Sequence, residues 1–253
     1  MAATAFDNVV AYQEGQGAVS LDSPPDLFVF MGATQIELSL VAAPGINSVA
    51  ELKGRSLALD ALATGFAFVL YRMLENAGIA RGDVDMVPVG ATPDRWKSVE
   101  DGSHAATLTI EPFTSMARAQ GFPVLESSLE TLDAYQGGIF AARRSWAADN
   151  GDTLRGFIRA YLTGLNWVRD PANRNEATEI LCRNMPAIKP QAADKVMTKV
   201  LSPETGLTPD GTLNPAGMAT VLALRSAYGP AGTDLRDPEK YLDLSFHRDA
   251  VKP

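Results

Sequence analysis

Three carboxylates stand where they could do chemistry, because each falls at a predicted helix start or at the end of a predicted strand. They are Asp7, Asp60 and Glu111. If two or more of them line one site, like-charge repulsion disfavours an anionic ligand and favours a neutral or cationic heterocycle. One of Asp60 and Glu111 could instead act as a general acid or base. The alternative for each acid is a helix cap or a salt bridge.

Two predicted helix starts would offer backbone N–H groups and a positive helix end to a small ligand. They lie at residues 4–8 and 61–66. Thr4 can be an ordinary N-cap, and Thr64 with Gly65 can be a plain strand-to-helix turn, so each also has a structural explanation. Four aromatic side chains could stack on a planar ligand or belong to the core: Phe66, Trp96, Phe113 and Tyr135.

Metal, thiol and nucleophile chemistry find little support in this sequence. The only cysteine is Cys182, and the two histidines, His104 and His247, are far apart along the chain. There is no nucleophile motif, no phosphate-binding glycine loop and no cluster of metal ligands. We therefore predict no cofactor, no metal site and an inert, buried thiol.

The composition favours a small-molecule partner. The 253 residues carry a net charge of -8 with a pI near 4.8, and 46% of them are hydrophobic. That hydrophobic share suffices for a folded core, and the length allows one large domain or two lobes. Nucleic acid and anionic membranes are disfavoured because both need clustered Lys and Arg. No apolar run is long enough to span a bilayer, and residues 1–4 show no signal-peptide pattern, so the sequence as given carries no export signal.

Apolar periodicity predicts the elements that must position these residues. Capping-box spacings at 4–7 and 48–51 predict two helix starts. Residues 27–31 are typical of a buried strand, and residues 36–43 alternate as a half-buried strand that ends at Pro44.

A strand–helix–strand crossover is predicted next, which implies parallel strand pairing. It comprises a strand at 56–60, an apolar helical stripe from Phe66 to Ala77 and a strand at 84–89. A second such unit has a helix at 96–100, a strand at 104–110 and a helix at 112–120, and a strand at 136–142 returns through the middle. Beyond residue 152 the predicted elements are helices, at 154–168, 174–184, 190–201 and 214–227.

In this order, the segments resemble the type II periplasmic solute-binding proteins that serve sulfonate, nitrate and taurine transport, and related receptors for thiamine-pyrimidine precursors. The resemblance covers most of residues 1–185. Its matching stretches are TAFDN at 4–8, SVAELKG at 48–54, SLALDALATGFAF at 56–68, IEPF at 110–113, residues 137–143, and FIRAYLTGLNWVRDP at 157–171.

The resemblance implies an α/β fold of two lobes with helical C-terminal cladding. Lobe 1 would comprise residues 1–45 and 139–253, and lobe 2 residues 46–138. About sixty residues of the family pattern, including a strand–helix–strand stretch behind a signal peptide, are missing ahead of Thr4, so we expect an N-terminally shortened lobe 1. Such a lobe would expose apolar sheet faces and favour a homodimer. A periplasmic location is expected if a signal peptide precedes this sequence.

In the family the ligand lies in the cleft between the lobes, held by loops at strand ends and by helix N-termini. The resemblance therefore implies a receptor that binds a small organic molecule, either a sulfonate, taurine, nitrate or a pyrimidine-like compound, and that delivers it to an ABC permease subunit. The ligand-binding residues it implies are Thr4, Phe6, Asp7, Asn8, Met31, Gly32, Asp60, Ala61, Thr64, Gly65, Phe66, Thr109, Glu111 and Tyr135.

Three other functions stay open. The same scaffold could carry an enzyme, a decarboxylase or dehydratase that uses Asp60 or Glu111, although we expect a non-enzyme. A cytosolic sensor would need no export signal. A pyrimidine-synthesising relative is disfavoured, because it would be expected to have a Cys-rich or His-based active site and this chain has only Cys182.

Overall fold

A computed structural model describes residues 1–252. Its strands are β1 (Ala2–Ala5), β2 (Leu27–Thr34), β3 (Ser39–Ala42), β4 (Ser56–Leu59), β5 (Asp85–Pro88), β6 (Ala106–Thr109), β7 (Val124–Ser127) and β8 (Gly138–Arg143). Its helices are α1 (Phe6–Gln13), α2 (Gly65–Asn76), α3 (Thr92–Glu100), α4 (Phe113–Ala119), α5 (Ser128–Thr131), α6 (Arg144–Asp149), α7 (Gly151–Arg169), α8 (Arg174–Asn184), α9 (Pro190–Val200), α10 (Pro215–Tyr228) and α11 (Ser245–Ala250). Within this range, none of the helices combines the length and the apolar character needed to cross a membrane.

The strands form two sheets, and the mixed α/β class expected from the sequence is confirmed. One sheet has three antiparallel strands in the order β1-β8-β2. The other has five strands in the order β5-β4-β6-β3-β7. In the latter, β4 pairs in parallel with both β5 and β6, as the crossover prediction requires, whereas β3 runs antiparallel to β6 and β7.

The chain divides into two compact units. The first comprises Met1–Ile36, Tyr135–Leu222 and the residues from Leu235 onward, and the second comprises Glu37–Ala134 with Ala223–Asp234. These bounds differ from the lobe bounds expected at 45/46 and 138/139, because β3 is hydrogen-bonded into the five-stranded sheet of the second unit. A further boundary between the two units, between Leu222 and Ala223, falls inside α10.

The core of the first unit lies between the three-stranded sheet and α7. Phe28, Phe30 and Met31 of β2 pack with Leu154 and Ile158 of α7, and each of these side chains is buried. The helical stripe predicted from residue 154 onward therefore faces the sheet. Burial of each such side chain stabilises the fold by about 1.5–3 kcal/mol. The packing of this apolar stripe on the sheet therefore stabilises α7, whose other face is polar.

In the second unit, α2 contributes a run of buried apolar side chains. Of the stripe predicted from Phe66 to Ala77, the four middle residues, Val69, Leu70, Met73 and Leu74, are fully buried, whereas Phe66 is half-buried and Ala77 is exposed. The helix ends at Asn76 with Ala77 as its C-cap, and the next residue, Gly78, has a φ of 74°, a conformation that glycine adopts at little steric cost.

The predicted helix start at Thr4 is wrong. Residues 2–5 form β1, in which Thr4 pairs with Ile139 of the central strand, and α1 begins only at Phe6. Its N-cap residue, Ala5, makes no side-chain cap. The Thr4 hydroxyl instead accepts a hydrogen bond from the Asn8 side chain at 2.9 Å. Pairing with a strand more than 130 residues away in sequence outweighs the local capping signal.

Two further local predictions need correction. The alternation at residues 36–43 predicts a half-buried strand, but β3 is only Ser39–Ala42 and all four of its residues are buried. β6 and β7 pair with its two edges, and Val41 packs against side chains of α3 and α4, namely Trp96, Val99 and Ala117. The turn at Val49–Leu52 is a 3-10 helix, and the Ser48 hydroxyl donates to the Glu51 carboxylate rather than capping the backbone. The sequence analysis did not predict β1, β7, α5, α6 or α11.

Candidate ligand-binding site in the second unit

The carboxyl ends of three parallel strands meet at one edge of the five-stranded sheet. Asp60 follows β4 directly, Gly90 follows β5 by two residues, and Glu111 follows β6 by two residues. Loops that leave such an edge enclose ligands in open α/β sheets, because they gather backbone and side-chain polar groups without crossing the core. Two of the three predicted carboxylates therefore lie at this edge, and it is the candidate site.

The loop between β4 and α2 carries the most polar part of this edge. Thr64 is the N-cap of α2, and its hydroxyl accepts a hydrogen bond from the N–H of Ala67 at 3.2 Å while donating to Oδ1 of Asp60 at 2.9 Å. Thr64 is thus an N-cap, which agrees with the structural explanation offered for this strand-to-helix turn. Its hydroxyl also holds the Asp60 carboxylate in position through the hydrogen bond to Oδ1. The first turn of α2 adds a positive helix end beside that carboxylate.

Two neighbours hold this loop in place. The Tyr71 hydroxyl donates to the carbonyl oxygen of Leu62 at 2.7 Å, and Arg225 donates to the carbonyl oxygen of Ala63 at 3.2 Å. Gly65 is buried at the first position of α2, while the ring of Phe66 is only half-buried. Ala61 completes the loop. The β4–α2 loop and the first turn of α2 therefore bring together five of the predicted ligand-binding residues: Asp60, Ala61, Thr64, Gly65 and Phe66.

Arg95 lies beneath the same edge and was missed by the sequence analysis. Its side chain is 2% exposed. The guanidinium donates to the carbonyl oxygen of Gly90 at 2.6 Å and of Leu108 at 3.2 Å, and to the hydroxyls of Thr92 at 3.0 Å and Thr107 at 3.3 Å. Its position four residues before the buried Val99 on α3 was the signal that could have found it, since i and i+4 share a helix face.

Burial also shifts the ionisation of this arginine. Loss of solvation lowers the pKa of Arg95, and the negative charge of Asp60 acts in the opposite direction. The Arg95 guanidinium carbon lies 5.9 Å from the centre of the Phe66 ring. The edge thus contains an acid, an aromatic ring and a buried cation in one neighbourhood.

Glu111 and Thr109 have local roles. Glu111 accepts hydrogen bonds from the Ser115 hydroxyl at 3.0 Å and from the Ser115 N–H at 3.4 Å, so its carboxylate caps the first turn of α4. Thr109 is fully buried, with its hydroxyl 2.8 Å from that of Thr114. The capping alternative for Glu111 therefore accounts for its contacts.

The other predicted residues lie in the first unit. Asp7 is in the first turn of α1 and is buried, while Asn8 is exposed. Phe6 is fully buried, with its ring edge-on to Tyr241 at 6.0 Å between centres, and Tyr135 is 6% exposed. Asp7 therefore belongs to a different unit from Asp60 and Glu111.

Packing accounts for the residue types at positions 31 and 32. Met31 belongs to the core cluster of the first unit. The N–H of Gly32 donates to the carbonyl oxygen of Gly211 at 2.7 Å, and a Cβ at position 32 would lie 2.1 Å from the carbonyl oxygen of Thr212. Glycine is required there because the backbone of residues 211 and 212 passes so close to the strand.

Of the aromatic candidates, Phe66 alone lies within the β4–α2 loop and first turn. Trp96 is 3% exposed, meets Phe122 edge-on at 4.8 Å between ring centres, and forms a core cluster against which Phe113 packs. The core alternative accounts for these two rings. Cys182 lies half-buried against the cluster of Ile188 and Val196. Among residues 1–252, no group of three or more His, Cys, Asp or Glu side chains is placed to hold a metal ion.

A surface cavity of about 460 Å³ in the first unit contains none of the predicted ligand-binding residues. It is lined by Tyr12, the loop at 21–27 and Arg143. Two of its charged residues pair with each other: Asp26 accepts hydrogen bonds from Arg143 at 3.0 Å and also from the N–H of Ser145 at 2.9 Å. These bonds, those of Ser145 foremost, hold the pKa of Asp26 well below its usual range.

Comparison with known proteins identifies a matching family and similar solved structures. The model of the NMT1-like family matches residues 42–182, more than half of the chain. The structure is similar to the periplasmic nitrate-binding protein NrtA from Synechocystis PCC 6803, with a TM-score of 0.74 and 13% identity over 98% of this chain and 72% of that one. It is also similar to the periplasmic aliphatic sulphonate-binding protein SsuA from Escherichia coli, with a TM-score of 0.63 and 22% identity over 95% and 72% of the two chains.

A third similar structure is an enzyme. The desulfurization enzyme DszB matches with a TM-score of 0.65 and 12% identity, over 98% of this chain and 84% of that one. No curated protein sequence matches the chain. At these identities the structural likeness establishes the fold and leaves the chemistry to the site itself.

Proposed function

Because the chain belongs to the NMT1-like family and has the α/β fold of periplasmic solute-binding proteins, we propose that it is the solute-binding component of an ABC-type importer. The solute is a small organic or inorganic molecule, such as a sulfonate, taurine, nitrate or a pyrimidine-like compound. The single observation that carries this proposal is the arrangement of Asp60, Thr64 and Phe66 where β4 meets the N-terminus of α2.

Each of the three residues offers a different contact to a solute. The second oxygen of Asp60 can accept a hydrogen bond, since Thr64 occupies the first. The half-buried ring of Phe66 offers an apolar face. Thr64 caps the N-terminus of α2, whose positive end attracts an anionic or carbonyl oxygen. Sites with a few convergent polar groups beside an apolar face are typical of small-molecule binding.

Thermal-shift measurements against a panel of solutes test this proposal. The panel is taurine, alkyl sulfonates, nitrate and aminopyrimidines. A solute at 100 times its dissociation constant should stabilise the folded protein by about 2.7 kcal/mol, because it binds only that state. Asp60→Asn and Phe66→Ala should reduce the shift, whereas Asp94→Asn, which changes an exposed acid on α3, should leave it unchanged.

Two results of the thermal-shift measurements would contradict the proposal. If no panel solute raises the melting temperature of the wild-type protein, it is not a receptor for these compounds. If a solute does so and the Asp60 and Phe66 variants respond like the Asp94 variant, the protein binds a solute elsewhere than at this edge.

The proposal extends to partners and location. A receptor of this kind delivers its solute to an ABC permease subunit, and it works in the periplasm if a signal peptide precedes Met1. Reading the gene upstream of Met1 tests the location. We also propose a homodimer through the edge strand β1, where Ala2 and Ala3 are exposed. Light scattering tests this, and a monomer mass at all concentrations would contradict it.

An enzyme on the same scaffold is the second candidate, and the likeness to the desulfurization enzyme DszB favours keeping it. Such an enzyme, a decarboxylase or dehydratase, would use Asp60 as the acid or base, because Glu111 is engaged by Ser115. Turnover of a screened organic acid that is lost in Asp60→Asn, in a protein that no panel solute stabilises, would favour this candidate over the receptor.

A further inference from the structure

The surface cavity of the first unit has an unpaired carboxylate in its wall. It adjoins a second cavity, and the two, of about 460 and 410 Å³, share a wall formed by Tyr12 and residues 21–25. Cavities of this size suit a small organic molecule. Both lie wholly within the first unit and contain none of Asp60, Thr64 and Phe66, so they are separate from the candidate site described above.

Three charged residues line the larger cavity, and one of them has no partner. Asp26 accepts hydrogen bonds from Arg143 at 3.0 Å and from the N–H of Ser145 at 2.9 Å, so the charges of this acid and this base offset each other. Asp22 makes neither a hydrogen bond nor an ion pair with any residue in the described range 1–252. The wall therefore carries one unbalanced negative charge.

Tyr12 adds an aromatic ring to the same wall. It belongs to α1, is half-buried and lines both cavities. The backbone at Gly17 rests against this ring, since a Cβ there would lie 2.4 Å from Cδ1 of Tyr12. Within residues 1–252, the Tyr12 hydroxyl has no hydrogen-bond partner. A ring and an unpaired carboxylate in one wall both attract an organic cation, because the ring face and the carboxylate are both negative.

The rest of the shared wall is largely apolar and is held by few bonds. Leu21, Pro24 and Pro25 line both cavities, and Leu21 is 52% exposed. No backbone hydrogen bond joins residues 17–25 to any other part of the described chain. A segment with so few bonds opens and closes at little cost in free energy. The loop can therefore close over the apolar part of a bound molecule.

We propose that this cavity binds a small organic cation with an aromatic or apolar body. The cationic group is attracted by Asp22 and by the ring of Tyr12, while the body packs against Leu21 and the two prolines. An anion is disfavoured, because the one cation among the lining residues, Arg143, already pairs with Asp26, and Asp22 repels an anion. The site does not depend on the proposed transport function.

Three probes of nearly equal size test the charge of the ligand. They are benzylammonium, benzyl alcohol and benzoate, each titrated with the protein at neutral pH and followed by the NMR chemical shifts of the probe. Benzylammonium should bind about tenfold more tightly than benzyl alcohol, because only the cation gains from both the carboxylate and the ring. Benzoate should bind more weakly than either. Absence of benzylammonium binding, equal binding of the alcohol, or tighter binding of benzoate would overturn the proposal.

Variants test whether the cation lies in this cavity. Asp22→Asn should weaken benzylammonium binding by about fivefold. Tyr12→Leu should also weaken it by about fivefold, whereas Tyr12→Phe keeps the ring and should change it by less than about twofold. Asp149→Asn, which changes an exposed acid of α6 outside the cavity wall, should have no effect. Arg143→Gln leaves Asp26 without its cation and should therefore tighten the binding of benzylammonium.

The placement fails if Asp22→Asn binds benzylammonium as tightly as the wild-type protein does. That conclusion holds even where Asp60→Asn weakens the binding, because the probe would then lie at the candidate site of the second unit. Weaker binding in Arg143→Gln, with an unchanged circular dichroism spectrum, would also contradict the assigned charge. None of these results bears on the proposed receptor function, which the solute panel decides separately.

Discussion

Replacing Gly32 with alanine separates packing from ligand contact at one predicted binding residue. An alanine Cβ would lie 2.1 Å from the carbonyl oxygen of Thr212, far inside van der Waals contact, so strand β2 or the loop must shift by more than 1 Å. That loop is tied to the strand by the bond from Gly32 to Gly211 at 2.7 Å and by the bond from Thr208 to Ala33 at 3.0 Å. The required shift would therefore strain or break a hydrogen bond.

The cost follows from these contacts. Overpacking of this kind costs about 1–3 kcal/mol, and losing one backbone hydrogen bond costs about 0.5–1.5 kcal/mol. We expect Gly32→Ala to lower the free energy of unfolding by about 2–4 kcal/mol, measured by urea denaturation followed by circular dichroism. The affinity of the folded fraction for any panel solute should stay unchanged.

The control is the same substitution at Gly164, in the interior of α7, where a Cβ would meet no atom within 4 Å. There alanine should raise stability by about 0.8–1 kcal/mol, because glycine is the weaker helix former. If Gly32→Ala leaves the urea midpoint unchanged and weakens solute binding instead, the packing explanation is refuted and Gly32 contacts the ligand.

Three further predictions follow from single contacts. Thr64→Ala removes the N-cap of α2 and should cost about 1 kcal/mol in urea denaturation, while Thr64→Ser should cost little; equal losses would contradict the cap. Gln136→Leu removes a fully buried side chain with hydrogen bonds to three backbone groups and should cost at least about 2 kcal/mol; a loss below about 0.5 kcal/mol in the same assay would contradict it. Burial acts to raise the pKa of Glu14, but hydrogen bonds from Lys240 and Tyr241 outweigh it and hold that pKa below 4.5. The stability that Glu14 contributes is therefore present above pH 4.5 and lost as the pH falls through the lower, folded-state pKa. The gap in melting temperature between wild type and Glu14→Gln should close over that range, and a gap of the same size at pH 7 and pH 3 would contradict this assignment.

The fold class and the parallel crossover could be predicted because their signals are local. The stripes along α2 and α7 repeat with the helical period, and part of each is buried, including Leu70 and Met73 of α2 and Leu154 and Ile158 of α7. By contrast, β1 has the sequence AATA, which carries no strong strand signal, and it becomes a strand by pairing with residues 138–141. β3 is paired on both edges by strands distant in sequence, and Val41 packs against Trp96 and Ala117, which are also far along the chain.

In the candidate site, too, local contacts could be predicted from the sequence, whereas contacts between residues distant in sequence could not. The role of Thr64 as a cap and the capping alternative for Glu111 involve partners three or four residues away, so the sequence could predict them. For Arg95, the spacing to Val99 could indicate a buried helix face, but the hydrogen-bond partners could not be predicted, because they include Leu108 in a separate strand. The close approach that requires glycine at position 32 comes from a loop about 180 residues further along the chain.

By itself, the sequence determined the α/β class, the helical periods, the strand–helix–strand order and the resemblance to a solute-binding family. The tertiary structure decided which carboxylates share a unit, that Arg95 is buried against the carbonyl oxygens of Gly90 and Leu108, and that Thr4 belongs to a strand. The physical reason is the range of the interactions. Periodicity and capping act within a few residues, whereas burial and charge depend on strands that meet only after the chain has folded.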